Sequence, residues 1–190
     1  GDMMGDHHLA AKSIFLEGSA HIPLLIRPPA SSWDTKPLAG KQVDTLVNLA
    51  DILPTILTIA DVPLPDDHDG VDLMSQVDSP TARDFYGVCG DSFHCLIQGN
   101  YKYNWATAGG EELLFNLEKD PLEQHNLVES DKDTTVLKTM RKELIRCMMT
   151  HNSPCVAAGK LTPGPAIAGP KDVSKWPGFH STVVNADVLH

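Results

Sequence analysis

Five side chains able to do chemistry fall within the first twelve residues, "GDMMGDHHLAAK": Asp2, Asp6, His7, His8 and Lys12. Lys12 offers a compact, movable positive charge for an oxygen of a sulfate or phosphate group. A neighbouring histidine could hand a proton to a leaving oxygen. The two carboxylates could bind a divalent cation, or accept hydrogen bonds that fix the loop. The spacing alone also suits a solvated polar loop, and does not choose between that and an anion site.

These residues must be held by something. Just after them, "HIPLLIRPP" reads as a buried strand over residues 21–27, stopped by Pro28 and Pro29. "QVDTLVN" alternates Val43, Thr45 and Val47 as a second short strand. In "LADILPTILTIADVPLP", Asp51 is placed to cap a helix. Pro54 fits its first turn, and Ile52, Ile56 and Ile59 recur at helical spacing. The polar, turn-rich stretch 65–80 reads as a boundary. Beyond it, "RDFYGVCG", "FHCLIQG", "YKYNWAT" and "ELLFNL" read as four strands, with Gly99-Asn100 as a tight hairpin turn. "DKDTTVLKTMRKELIRCMM" is helical, with Val136, Met140 and Leu144 on one stripe and Leu137, Ile145 and Met148 beside it. The result is an α/β segment followed by an α+β module: a four-stranded antiparallel sheet with one covering helix. Residues 151–190 are rich in Gly and Pro and read as an extended tail anchored by Trp176 and Phe179.

The totals narrow the partners. With 190 residues, 42% of them hydrophobic, and a net charge of -10, the chain is globular and lacks the basic surface that nucleic acid needs. An anionic substrate would require a local cationic pocket. No apolar run is long enough to span a membrane. Cys89, Cys95, Cys147 and Cys155 form no CxxC pair and read as free thiols, although Cys89 and Cys95 could face each other across a hairpin. Composition does not set the compartment.

Three separated segments resemble the signatures of sulfatases, within the alkaline-phosphatase-like superfamily. "GDMMGDHHLAAKSIFLEGSAHIP" is similar to the stretch G-[DE]-x-x-G-D-H-x-L-x-x-K-x-x-x-x-E-x-S-x-R-[IV]-P, with His21 where the family has Arg. "DILPTILTIADVPLPDDHDGVDL" resembles D-I-x-P-T-[IL]-L-x-x-A-G-x-x-x-P…D-G-x-S-L, with Asp61 in place of Gly and Asp72 in place of Ser. "GNYKYNWATAGGEELLFNLEKDPLEQHNL" resembles G-x-[WY]-K-Y-I…E-[EQ]-L-[FY]-D-L-x-x-D-P-x-E-x-x-N-L.

The resemblance implies a sulfuric ester hydrolase in which a formylglycine attacks sulfur and a calcium ion orients the sulfate. Lys12 then matches the lysine that contacts the sulfate. His7 matches the G-D-H histidine and is a candidate catalytic and substrate-binding residue, and His8 a candidate substrate contact. Asp2 and Asp6 fit loop-fixing acceptors better than metal ligands, so no metal ligand is assigned. In the family, calcium ligands immediately precede the glycine that Gly1 matches, and the nucleophile motif [CS]-x-P-x-R does not occur in this chain. The expectation is therefore a C-terminal portion of a sulfatase that neither holds calcium fully nor hydrolyses sulfate esters alone. Residues 1–78 would be the end of the catalytic α/β domain, 79–150 the sheet-plus-helix subdomain and 151–190 the tail. The implied substrate is a sulfated small molecule or carbohydrate, with no nucleic-acid or membrane partner. Self-association is expected through sheet surface left uncovered near Leu24 and Ile26. A phosphonate monoester hydrolase or phosphodiesterase of the same superfamily, and a non-catalytic structural domain, are the alternatives.

Overall fold

The computed structural model describes residues 1–12, 14–27, 40–77, 81–90, 92–129 and 134–165. They divide into two compact units. One joins Gly1–Ile22 to the described residues from Asp84 onward, and the other is Pro23–Arg83.

The first unit is built on the expected sheet. Strands β3 (Phe85–Cys89), β4 (Phe93–Gln98), β5 (Tyr101–Ala106) and β6 (Glu112–Asn116) pair antiparallel in sequence order. Gln98 pairs with Tyr101, so Gly99-Asn100 is a two-residue hairpin loop as read from the sequence. Side chains alternate across the sheet. Leu96, Tyr103, Trp105 and Leu114 form one core with Met140, Leu144 and Met148 of helix α4 (Thr134–Thr150). The helical stripe was legible because those residues recur every four positions. Asn152, in a left-handed conformation (φ 53°), ends the helix. There the amide of Ser153 bonds back to the Met148 carbonyl at 2.9 Å.

The opposite face of the sheet carries a second core. Phe93, Ala106, Leu113 and Phe115 pack with Met3, Leu9, Ile14 and Leu16 of the N-terminal segment. That packing explains why residues 1–22 belong with the antiparallel sheet, where the sequence had grouped them with residues up to 78. The first part of the expected tail is also structured. A small hairpin, β7 (Val156–Ala157) with β8 (Lys160–Leu161), is followed by a bridge from Gly164 to Ala108. Trp176 and Phe179 lie outside the described residues.

The second unit departs more from the sequence reading. Residues 21–27 and 43–47 form no strand. An apolar run can become a strand only beside a partner that takes up its amides and carbonyls, and none of the described residues pairs with either run. Leu25 is 88% exposed, and Leu24 and Ile26 are exposed as well. Helix α2 (Ile52–Ile59) forms as expected, but its entry is built differently. Asp51 holds the N-cap position of α2, but its side chain caps none of that helix's amides; a 3-10 turn, Leu49–Asp51, leads in and is capped by Asn48. The Asn48 side chain accepts the Ala50 amide, while Asp51 reaches back to the Asn48 amide at 2.8 Å. Asp51 is fully buried because it also accepts the Val71 amide and two bonds from Arg83. The helix buries Pro54 and Thr55, leaving Leu53 and Ile56 exposed, so the isoleucine stripe is not the packed face. The expected boundary stretch contains a short helix, α3 (Leu73–Gln76). Residues 78–80 lie outside the description. No helix among the described residues is long and apolar enough to cross a membrane.

Candidate functional site

The residues that opened the sequence form a small hairpin. β1 (Met3–Met4) pairs antiparallel with β2 (Ala10–Ala11) around a single turn of 3-10 helix at Asp6–His8. The turn closes through Gly5 N–H to the Leu9 carbonyl and Leu9 N–H to the Asp6 carbonyl, both 3.0 Å. Gly5 takes φ 112°, a conformation that costs other residues heavily. Met3 and Leu9 sink into the lower core and fix the hairpin's base. A side chain at Gly1 would collide with the Gly18 carbonyl, so the hairpin abuts helix α1 (Glu17–Ala20) backbone to backbone.

Lys12 stands at the exposed end of this hairpin, its ammonium 3.4 Å from the Asp2 carboxylate with both side chains about half in solvent. Such an open pair is loose and leaves the ammonium available to another anion. His7 sits in the left-handed region (φ 53°, ψ 26°), with Nε2 3.2 Å from the Leu122 carbonyl and its ring tilted toward Phe115. His8 shares the same turn. Asp2, His7 and Lys12 thus belong to one hairpin.

Beneath the hairpin lies a charge cluster that sequence reasoning missed. Lys102, in the strand read from "YKYNWAT", has its ammonium sealed from solvent. It sits between the carboxylates of Glu17 and Glu123, with Glu123 2.9 Å away and its side chain equally buried. Glu123 also accepts the backbone amide of Glu17 at 2.6 Å, and Glu17 reaches His21 at 2.6 Å. Burial alone would push the Lys102 ammonium down; the Glu123 and Glu17 carboxylates more than reverse this and hold it above its ordinary value. On the same sheet face, burial pushes the Cys95 thiol up to about 12. The lysine was hidden because its two partners lie far from it in the sequence, Glu17 85 positions before it. The available signal was that Glu17, Lys102 and Glu123 each fall on a letter of the signatures quoted above.

The α4 face carries its own polar set. Arg141 grips Glu112 with two bonds, Nε to Oε1 at 2.7 Å and Nη2 to Oε2 at 2.6 Å, and Tyr103 donates its hydroxyl to the same carboxylate. Tyr101 lines an open cleft of about 230 Å³ with Asn116, Lys119, Asp120, His125 and Leu127. The four cysteines are free thiols, and Cys89 pairs in register with Phe93 rather than Cys95. Among the described residues no group of three or more His, Cys, Asp or Glu side chains is placed to hold a metal ion. They supply no donor set for the calcium that the resemblance implies.

The four-stranded antiparallel sheet, its covering helix and the N-terminal hairpin belong to the C-terminal part of a sulfatase, as comparison with known proteins shows. Residues 5–150 match the family described as "N-sulphoglucosamine sulphohydrolase, C-terminal", and the chain belongs to that family. It is 34% identical over 179 residues to an arylsulfatase of Clostridium perfringens, a match covering 91% of this chain and 37% of that protein. It therefore spans little more than a third of that relative's length. Among solved structures, the phosphonate monoester hydrolase of Agrobacterium radiobacter is similar at a TM-score of 0.61 and 27% identity. That likeness covers 80% of this chain and 34% of that one. A second, solved in complex with its substrate D-glucosamine-2-N,6-O-disulfate, has a TM-score of 0.60 at 16% identity. It covers 81% of this chain and 33% of that one, and shows the shared fold.

Proposed function

We propose that this chain contributes the lysine side of a sulfate-ester hydrolysis site, with Lys12 contacting the sulfate group. The observation that carries the reading is the position of Lys12. It is a loosely paired, half-exposed ammonium at the end of an antiparallel hairpin, in a chain whose family is sulfatase. As the sulfur–oxygen ester bond breaks, negative charge builds on the sulfate oxygens and the leaving oxygen. An ammonium already in place stabilises that charge without reorganising. The sulfate displaces Asp2 from Lys12. His7 and His8, on the turn of the same hairpin, are the substrate contacts of this reading. A sulfated small molecule or carbohydrate is the substrate class, supported by the arylsulfatase relative and by the fold neighbour solved with a sulfated sugar. The apolar residues exposed at Leu24, Leu25 and Ile26 support association with a second copy.

The likeness to a phosphonate monoester hydrolase favours one second reading, since phosphonate and sulfate esters present similar tetrahedral oxyanions. One experiment separates the two. The protein carrying these residues is assayed on an aryl sulfate and on an aryl phosphonate monoester, with and without Lys12→Met. The sulfate reading expects the aryl sulfate to be the better substrate, and Lys12→Met to lower its kcat/KM by about 10²–10³-fold. Preference for the phosphonate supports the second reading. Unchanged turnover in Lys12→Met removes Lys12 from the site, and no hydrolysis of either ester supports a structural role.

A further inference from the structure

The turn that follows β6 meets the hairpin at His7, and that contact is chemically informative. The Leu122 carbonyl lies 3.2 Å from His7 Nε2. A carbonyl oxygen can only accept, so Nε2 carries the proton in this contact. The other ring nitrogen, Nδ1, then has its lone pair free in the neutral ring, and makes no hydrogen bond to a described residue.

The carbonyl is not free to wander. The Asp120 carboxylate accepts the amides of Gln124 and His125 at 3.0 and 2.8 Å, and the Asp120 carbonyl accepts the Glu123 amide at 3.1 Å. Pro121 fixes its own φ. Glu123, the residue after Leu122, is locked below by Lys102 and by the Glu17 amide. Its backbone is left-handed (φ 56°), as is that of His7 (φ 53°). Two non-glycine residues thus hold an uncommon conformation on either side of one hydrogen bond. Such conformations persist only where the surroundings over-determine them.

We infer that the Asp120–Glu123 turn is a positioning element for His7, its Leu122 carbonyl setting the tautomer and direction of the imidazole so that Nδ1 is the nitrogen left available. This deepens the sulfate-site reading and rests on it for its functional meaning. Glu123 and Pro121 are positioning residues, acting through the carbonyl between them.

The test is imidazole nitrogen and proton NMR on the 190-residue chain at about pH 8.5, where imidazoles are neutral. His151 is an internal reference of opposite sense, because its Nδ1 faces the Cys147 carbonyl at 2.8 Å. The expected result is a hydrogen-bonded, slowly exchanging Nε2 proton on His7. Glu123→Ala should speed its exchange about tenfold or more, by releasing charge-assisted bonds that hold the turn. Pro121→Gly, an exposed change that removes no buried contact, should speed it at least about threefold. The His151 signal should stay constant in both variants. A freely exchanging His7 imidazole in the unaltered chain overturns the inference, as does unchanged protection in folded Pro121→Gly and Glu123→Ala chains. If Glu123→Ala fails to fold, Pro121→Gly decides alone. Loss of sulfate-ester turnover in His7→Ala tests the functional reading separately, and its outcome leaves the NMR result standing.

Discussion

Replacing Lys102 by Met tests whether the buried charge cluster holds the unit together. Methionine keeps most of the side chain's length and apolar body, so the change is close to deletion of one charge. The ammonium is 1% exposed and lies 2.9 Å from a Glu123 carboxylate that is equally sealed. Without it, Glu123 becomes an uncompensated buried anion. Glu17, whose side chain is 23% exposed, can turn toward water and adds less. Removing one partner of a buried pair costs about 3–5 kcal/mol, and one stranded charge rather than two places this case at about 3–4 kcal/mol. For a chain of this length that corresponds to a fall in Tm of about 6–16 °C. The sign with pH follows from Glu123, whose carboxyl burial pushes up against the opposing pull of Lys102. In the variant that pull is gone and the folded value rises further. Stability is then retained below the unfolded value, about 4.5, and lost as pH rises through the raised folded value. Urea unfolding followed by near-ultraviolet circular dichroism should therefore show the largest gap from the unaltered chain at about pH 7, and a narrower one at about pH 4. Adding Glu123→Leu should cost less than the sum of the single changes. A gap below about 1 kcal/mol at neutral pH, the scale of a surface pair, would refute the reasoning, as would a gap that does not narrow on acidification.

The α4 face gives a pH dependence of opposite sign. Burial would raise the Glu112 carboxyl, but bonds from Arg141 and Tyr103 outweigh it and hold it below its ordinary 4.5. Its stabilising contribution is present above that value and lost as pH falls through the lower folded one. Tm should therefore drop more steeply between about pH 5 and 3 in the unaltered chain than in Glu112→Gln, and parallel curves would remove the carboxylate from the account. Cys95 is fully buried, with its thiol pushed up to about 12, so it should resist a disulfide reagent at about pH 8 until the chain is unfolded. Rapid labelling of all four thiols in the folded chain would contradict that burial.

The parts legible in the sequence were those whose pattern is local. β4 and β5 alternate on either side of a Gly-Asn pair, and Met140, Leu144 and Met148 recur at helical spacing, so neighbouring residues alone specify those elements. The run 21–27 shows the opposite case. Its apolar character promised burial, but strand formation depends on a pairing partner, which the run itself does not encode. Asp51 was recognised as a residue near a helix start. Its real work, joining the Asn48 and Val71 amides and Arg83, spans 32 residues and leaves no local trace. Among the candidate residues, Asp2, His7 and Lys12 could be read together because they are contiguous. Lys102 meets Glu17 across 85 positions, and no periodicity reports such a meeting.

That meeting joins the first and third family-like segments in one cluster. Read as text, the Glu of "LEGSAHIP", the Lys of "YKYNW" and the Glu of "KDPLEQ" are unrelated letters. In the fold they are Glu17, Lys102 and Glu123, a single buried cluster with one cation and two anions. Neither Lys102 nor Glu123 is tolerable there alone, because each would be a buried charge or polar group without compensation. The cluster also has a direction. Glu17 opens the helix against which the hairpin base rests, and Glu123 follows the carbonyl that His7 contacts. The same ion pairs that close the sheet's lower face therefore fix the hairpin from two sides. A substitution at Lys102 should disturb the His7 imidazole even though the two side chains make no direct bond.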